Sequence, residues 1–196
     1  NIPLVHISTD YVFPGTGHAS WTPDDAVAPA NAYGRSKLFG EQGIRASGAT
    51  HAILRTSWVF SPHGNNFVKT MLSLSEARDE ISVVDDQFGG PTSARSVAAA
   101  CLTIAEQLQA TPNKTGTFHF SGAPNASWCT FAREIFAAAV QTTRVQGIPS
   151  SAYPTAAARP LNSRLDCRTT TDFFGLPRPD WRADLKECLT EIAIST

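Results

Sequence analysis

Leu4-Val5-His6-Ile7-Ser8-Thr9-Asp10 is an apolar run that ends in hydroxyl and carboxylate side chains, and it decides how the rest of the chain reads. Short apolar stretches bounded by turn residues belong to buried strands of a parallel sheet, and Pro14-Gly15-Thr16-Gly17 supplies the turn-rich loop that follows. Beyond it, the spacing of Tyr33, Lys37, Phe39 or Gly40, and Ile44 predicts a helix from about Ala32 to Ala46, with Gly48 just past its end. Ala52 to Phe60 reads as the next strand, stopped by Ser61-Pro62-His63-Gly64. Asn65 or Asn66 then caps a helix through Phe67, Met71 and Leu74. The rhythm continues with a strand at Ile81–Val84, a loop from Asp85 to Thr92, an Ala-rich helix from about Ala94 to Leu108 and a strand at Gly116–Phe120. Such alternation specifies an α/β fold built on a mostly parallel sheet with covering helices.

Past Gly122 the texture changes. Trp128 to Val140 is an amphipathic helix with Phe131, Ile135 and Phe136 on one side and Arg133 and Glu134 on the other. Val145 to Pro160, rich in Pro, Ser and Ala, reads as irregular, and a last helix lies near Asp184 to Ile194. A chain of 196 residues supports one core, or one domain with a small second lobe.

Sixteen basic against seventeen acidic residues leave a net charge of −1, which excludes a global field for nucleic acid or an anionic membrane. No apolar run reaches the roughly 20 residues that a bilayer needs, and Asn1-Ile2-Pro3 is not a signal-peptide start. Cys101, Cys129, Cys167 and Cys188 are widely scattered, without a C-x-x-C pair, and the five histidines are equally dispersed. These features fit reduced thiols in a soluble, cytoplasmic protein without a metal site.

Tyr33 and Lys37 are four apart, so on a helix they project from one face about a turn from each other. A phenol titrates near 10, and an adjacent ammonium favours its ionised form, which suits proton exchange near neutrality. Thr9, at the tip of a neighbouring strand, can add a hydrogen bond to the same substrate oxygen. Y-x-x-x-K alone is a weak signal; its place after a strand ending Ser8-Thr9-Asp10 is what gives it weight. Together these residues supply the proton-handling half of a carbonyl reductase. No glycine-rich strand-to-helix turn for a dinucleotide pyrophosphate occurs, so the sequence reads as the carboxyl-terminal part of an enzyme, expected to be inactive alone. A sheet lacking its first strands would expose an edge that invites self-association, with a homodimer the simplest form.

This arrangement resembles the extended short-chain dehydrogenase/reductase family. Six ordered stretches carry a narrower similarity: Ser8-Thr9-Asp10-Tyr11-Val12-Phe13, Tyr33-Gly34-Arg35-Ser36-Lys37-Leu38-x-Gly40-Glu41, Leu54-Arg55-Thr56-Ser57-Trp58-Val59, Asn65-Asn66-Phe67-Val68, Asp86-Gln87-x-Gly89-x-Pro91-Thr92 and Arg159-Pro160-x-Asn162-Ser163. They look like the dTDP-4-dehydrorhamnose reductases. The resemblance implies the C-terminal part of a Rossmann-type parallel sheet plus a smaller α+β substrate-binding lobe. Residues 1–110 would be the C-terminal half of the dinucleotide-binding domain and 111–196 mainly the substrate lobe, the two interleaved. It also implies reduction of dTDP-4-dehydro-L-rhamnose to dTDP-L-rhamnose, a precursor of cell-surface polysaccharide, with NADPH as the usual hydride donor and NADH left open.

On that resemblance Tyr33 gives its proton to the C4 oxygen, Lys37 lowers the Tyr pKa and holds the nicotinamide ribose, and Thr9 binds the reacting oxygen. Asp10 and Trp58 contact the sugar, Trp58 having a second reading as a core aromatic. Arg159 is a candidate for the diphosphate, since guanidinium forks match phosphate oxygens, or else the partner of an acidic neighbour. Asn65, Asn66 and Gln87 are weaker candidates, better read as cap or loop residues. Some such reductases hold Mg2+ through glutamates at a dimer contact. Glu191 could match one of them, but Arg95 stands where the other would be, so no metal is expected. Tyr11 after Asp10 replaces the glutamate base of the related dehydratases, which disfavours elimination. An epimerase of the same superfamily and a non-catalytic regulatory subunit of reductase-like fold are the alternatives.

Overall fold

A computed structural model describes residues 2–155 and 157–194; Asn1, and Ala156 within the Val145–Pro160 stretch, lie outside the described residues. The first half comprises β1 (Leu4–Thr9), α1 (Ala32–Ala46), β2 (His51–Thr56), β3 (Val59–Phe60), α2 (Phe67–Ser75), β4 (Glu80–Val84), β5 (Phe88–Gly89), β6 (Thr92–Ser93) and α3 (Ala94–Ala110). The second adds β7 (Gly116–His119), β8 (Ala126–Ser127), α4 (Trp128–Ala138), β9 (Arg144–Ile148), β10 (Asn162–Ser163), α5 (Arg168–Phe174) and α6 (Trp181–Ile194).

β1, β2 and β7 form a parallel sheet in that order, with Thr9 opposite Thr56 and Arg55 opposite His119. Alternation along the strands serves two faces. Ala52 and Leu54 of β2 meet Val97, Ala100, Ile104 and Leu108 of α3, whereas Ser8 and Arg55 reach Glu41 of α1. The two helices therefore cover opposite sides. A second core gathers Val68 and Met71 of α2, Ile81 and Val83 of β4, Phe131 and Ile135 of α4, and Trp181 and Leu185 of α6. Burying each of these large side chains contributes about 1.5–3 kcal/mol. Short ladders complete the structure: β4 pairs with β9 within the second core, β5 lies between β10 and β8, and β3 pairs with β6. The chain thus passes between the two regions more than once.

Helix α1 has the expected limits, and Gly48 follows it with φ of 66°, but its packed face differs from the expected one. Tyr33 and Phe39 are exposed, while Gly34 and Glu41 are the buried residues; a carboxylate counts as polar in a hydrophobic pattern, yet here it is the helix's anchor. The single strand expected over Ala52–Phe60 is broken at Ser57-Trp58. Trp58 has φ of 51°, a left-handed backbone that cannot continue a ladder, so β3 leaves β2 to pair with β6. The Asp85–Thr92 loop contains β5 and the start of β6. In the stretch expected to be irregular, β9 runs parallel to β4 from Arg144 opposite Glu80 to Ile148 opposite Val84. Gln146 and Gly147 hide the alternation there. Helix α5 was not expected, being one short segment in which Thr170 and Phe174 are buried. All four cysteines are free. Among the described residues, no helix is long and apolar enough to cross a membrane.

Candidate active site

Thr9 ends β1 beside Thr56 of β2, and the crevice outside the carboxyl ends of parallel strands is where ligands bind in open α/β sheets. The chain turns at once. Thr9 Oγ1 accepts a hydrogen bond from the Tyr11 amide at 3.2 Å and donates one to Asp10 Oδ1 at 3.1 Å, capping a single 3-10 turn over Asp10–Val12. Helix α1 crosses this turn at Gly34, where a Cβ would stand 2.2 Å from the Tyr11 carbonyl oxygen. Only glycine permits that approach. Tyr33 is thereby brought against the strand tip, its ring edge-on to Tyr11 at 5.6 Å.

Thr9, Asp10, Tyr33, Trp58 and Arg159 line one cleft of about 610 Å³, with Trp128 in its wall. Tyr33 is 54% exposed. Lys37 is not among the lining residues; its Nζ donates to the Ile7 carbonyl at 2.5 Å, tying α1 to β1. An ammonium has three donors, so two remain for a ligand. Asp10 is 2% exposed, and its Oδ2 has no hydrogen-bond partner. Burial pushes its carboxyl up to about 7, against the opposing effect of the Ser163 and Thr9 hydroxyls.

Trp58 belongs to the core and to the cleft wall at once. It stacks on Trp128 with centroids 3.6 Å apart, packs against the second core, and faces the cleft. Gly89 lies beneath it, where a Cβ would come within 2.7 Å of the indole. Arg159 has no carboxylate within ion-pair distance among the described residues. It also lines, with Trp128, an adjoining cavity of about 420 Å³ walled by Phe67, Met71, Leu74 and Val83 and reached by Arg78 and Gln87. The two spaces share these two residues. Gln87 donates to Ser150 at 2.9 Å, and Asn66 caps α2 by accepting from Val68 and Lys69 amides; Asn65 is exposed. Arg95 is paired with Glu187 and Glu191 at 3.1 and 3.0 Å. Among the described residues, no group of three or more His, Cys, Asp or Glu could hold a metal.

Sequence reasoning passed over three participants. Glu41, one turn beyond Lys37, is fully buried. It accepts from Ser8 at 2.5 Å, from Arg55 Nε at 2.9 Å and Nη2 at 2.7 Å, and from Arg45 at 2.8 Å. Burial alone would raise its pKa, but the hydrogen bonds and charge of Arg55, with Ser8 and Arg45, hold it below the usual range. The network fixes α1 on β1 and β2, and a carboxylate four residues after the lysine was its available signal. Trp128 was read only as a helix residue. Asn31 caps α1 and also bonds to Ala158, a contact no local pattern announces.

Comparison with known proteins bears on this geometry. The family model for the RmlD substrate binding domain matches residues 1–194. A dTDP-4-dehydrorhamnose reductase of Sinorhizobium fredii is 43% identical over 186 residues, 92% of this chain and 63% of that protein. A crystal structure of a dTDP-4-dehydrorhamnose reductase from Clostridium acetobutylicum superposes with a TM-score of 0.88 at 36% identity, covering 96% of this chain and 65% of that one. The Bacillus anthracis enzyme in complex with NADP gives a TM-score of 0.84 at 36% identity, covering 95% and 64%. The chain spans less than two thirds of the length of these relatives.

Proposed function

This chain belongs to the RmlD substrate binding domain family, and we propose on that premise that it forms the substrate-binding and proton-donating part of a dTDP-4-dehydrorhamnose reductase. The reaction is reduction at C4 of dTDP-4-dehydro-L-rhamnose by NADPH, in the cytoplasm, giving dTDP-L-rhamnose. The observation that carries the reading is the convergence of Thr9, Asp10, Tyr33, Trp58 and Arg159 on one cleft that shares Trp128 and Arg159 with a second cavity.

The residues present fit the nicotinamide end of the cofactor. Ile7 and Tyr33, 45% and 54% exposed, offer an apolar wall and an accessible phenol beside the spare donors of Lys37. When bound, the reduced nicotinamide supplies the hydride. Tyr33 gives its proton to the C4 oxygen, and the Lys37 ammonium one turn away stabilises the phenolate left behind. Thr9 holds the same oxygen. A hydroxyl has one proton to donate, so Thr9 turns from Asp10 toward the substrate while the Tyr11 amide keeps its oxygen in place. Trp58 and Asp10 border the sugar, Arg159 pairs with the diphosphate at the junction of the two spaces, and the adjoining cavity takes the thymidine. Because residues 1–196 hold no glycine-rich strand-to-helix turn, this chain by itself binds NADPH weakly, which calorimetry would show as affinity weaker than micromolar.

The test is NADPH oxidation with dTDP-4-dehydrorhamnose by a polypeptide that carries this chain at the full length of its relatives, as wild type and as Tyr33→Phe. General acid catalysis contributes about 10²–10⁴-fold, so the variant should lose that much of kcat. Turnover that survives the substitution, or wild type that consumes no NADPH, would refute the reading.

A further inference from the structure

We propose that Asn31 is a positioning residue, whose side-chain amide holds Arg159 over the cleft in fixed relation to the helix that carries Tyr33. The proposal rests on the functional reading above, since it concerns how the phosphate-binding and proton-donating groups are kept at one spacing.

Asn31 is the N-cap of α1, with extended backbone at φ −133° and ψ 171°. Its Oδ1 accepts from the Gly34 amide at 2.9 Å, while its Nδ2 donates to the Ala158 carbonyl at 3.0 Å. One planar group thus ties the first turn of the catalytic helix to the residue before Arg159. Capping alone does not demand asparagine, because Ser, Thr and Asp cap about as well; of these, only the amide couples an acceptor with a donor able to reach across.

The far side of this bond needs such a tie. Residues 157–159 are exposed, and the segment is anchored at a distance before them and directly after them. Before it, Ser150 is held by Asp86 and Gln87; after it, Pro160 packs on Gly15, where a Cβ would stand 2.2 Å from the proline Cβ, and the Leu161 carbonyl accepts from the Phe88 amide at 2.9 Å. From Pro154 to Pro160, the bond from Asn31 is the hydrogen bond that ties this segment to the body of the protein among the described residues. Tyr11, Asn31, Ala158 and Arg159 line both the main cleft and a smaller space of about 170 Å³ behind it. The Asn31–Ala158 contact therefore stands in the wall between them, and losing it would let Arg159 swing toward the rear space.

Asn31→Ser separates the two roles, since serine keeps a neutral cap and is too short to reach Ala158. The measurement is calorimetric titration of this chain with thymidine diphosphate and with thymidine, alongside nicking by elastase at Ala157-Ala158. One neutral hydrogen bond corresponds to about a 2- to 10-fold change in an equilibrium. The serine variant should bind thymidine diphosphate that much more weakly, bind thymidine unchanged, and be nicked faster. In an Arg159→Ala background the substitution should cost no further affinity. Equal weakening for both ligands, undiminished diphosphate affinity, an unchanged nicking rate, or a full additional loss in the Arg159→Ala background would each overturn the proposal. Wild type that binds neither ligand would instead show that the functional reading has failed, and the proposal falls with it.

Discussion

Replacing Asp10 with Asn should make the protein's stability less dependent on pH, and the direction follows from where this carboxyl sits. It is buried, with one oxygen unpartnered, and its folded-state pKa lies at about 7 rather than 3.8. In the unfolded chain it titrates near its ordinary value of about 3.9. Between about pH 4 and pH 7 the folded state therefore holds a proton that the unfolded state has released, and stability falls as pH rises through that window. At about 1.4 kcal/mol per pH unit the upper limit is about 4 kcal/mol. Relaxation around a buried charge brings the expected loss nearer half of that, about 2 kcal/mol. For a chain of this size 1 kcal/mol moves the melting temperature by about 2–4 °C. Wild type should thus lose about 4–8 °C relative to Asp10→Asn on going from about pH 4.5 to about pH 7.5. Thermal denaturation of both proteins across that range is the assay, and taking the difference removes every other titrating group. A difference that stays flat, or that grows in favour of wild type as pH rises, would refute the assignment of Asp10 as a desolvated carboxyl.

Glu41 acts with the opposite sign. Its folded-state pKa is depressed, so its contribution is present at neutral pH and lost as pH falls through that lowered value. Glu41→Gln leaves the buried Arg55 guanidinium without its carboxylate and should cost about 3–5 kcal/mol in chemical denaturation at neutral pH; a loss below about 1 kcal/mol, the scale of an exposed pair, would contradict the buried network. Gly89→Ala places a methyl 2.7 Å from the Trp58 indole and should cost about 1–3 kcal/mol while disturbing the Trp58–Trp128 stack. Unchanged tryptophan fluorescence and stability would show that the stack has room to yield.

Much of this was legible in the sequence because it depends on local rules. The limits of α1 follow from its periodic residues and from Gly48 just past its end, and the Tyr33, Lys37 and Thr9 elements from a helix period placed after a strand tip. What was hidden depends on tertiary partners. Nothing local to Ser57-Trp58 announces that the strand breaks there; the left-handed residue carries an indole stacked on Trp128, seventy positions away in the numbering. β9 lacks an apolar alternation because it borrows its pairing from β4. Glu41 reads as a surface charge until Arg55 is brought beneath it, and nothing local to Lys37 announces that one of its three donors is held by Ile7. The site's residue types were in the text of the sequence; their second allegiances were not.

The most direct measurement is a crystal structure of this chain with dTDP-L-rhamnose bound. The account predicts the sugar's C4 hydroxyl within about 3 Å of both the Tyr33 phenol and the Thr9 hydroxyl, with the diphosphate against Arg159. A sugar ring lying outside the cleft, or a C4 hydroxyl turned to solvent away from Tyr33, would contradict it.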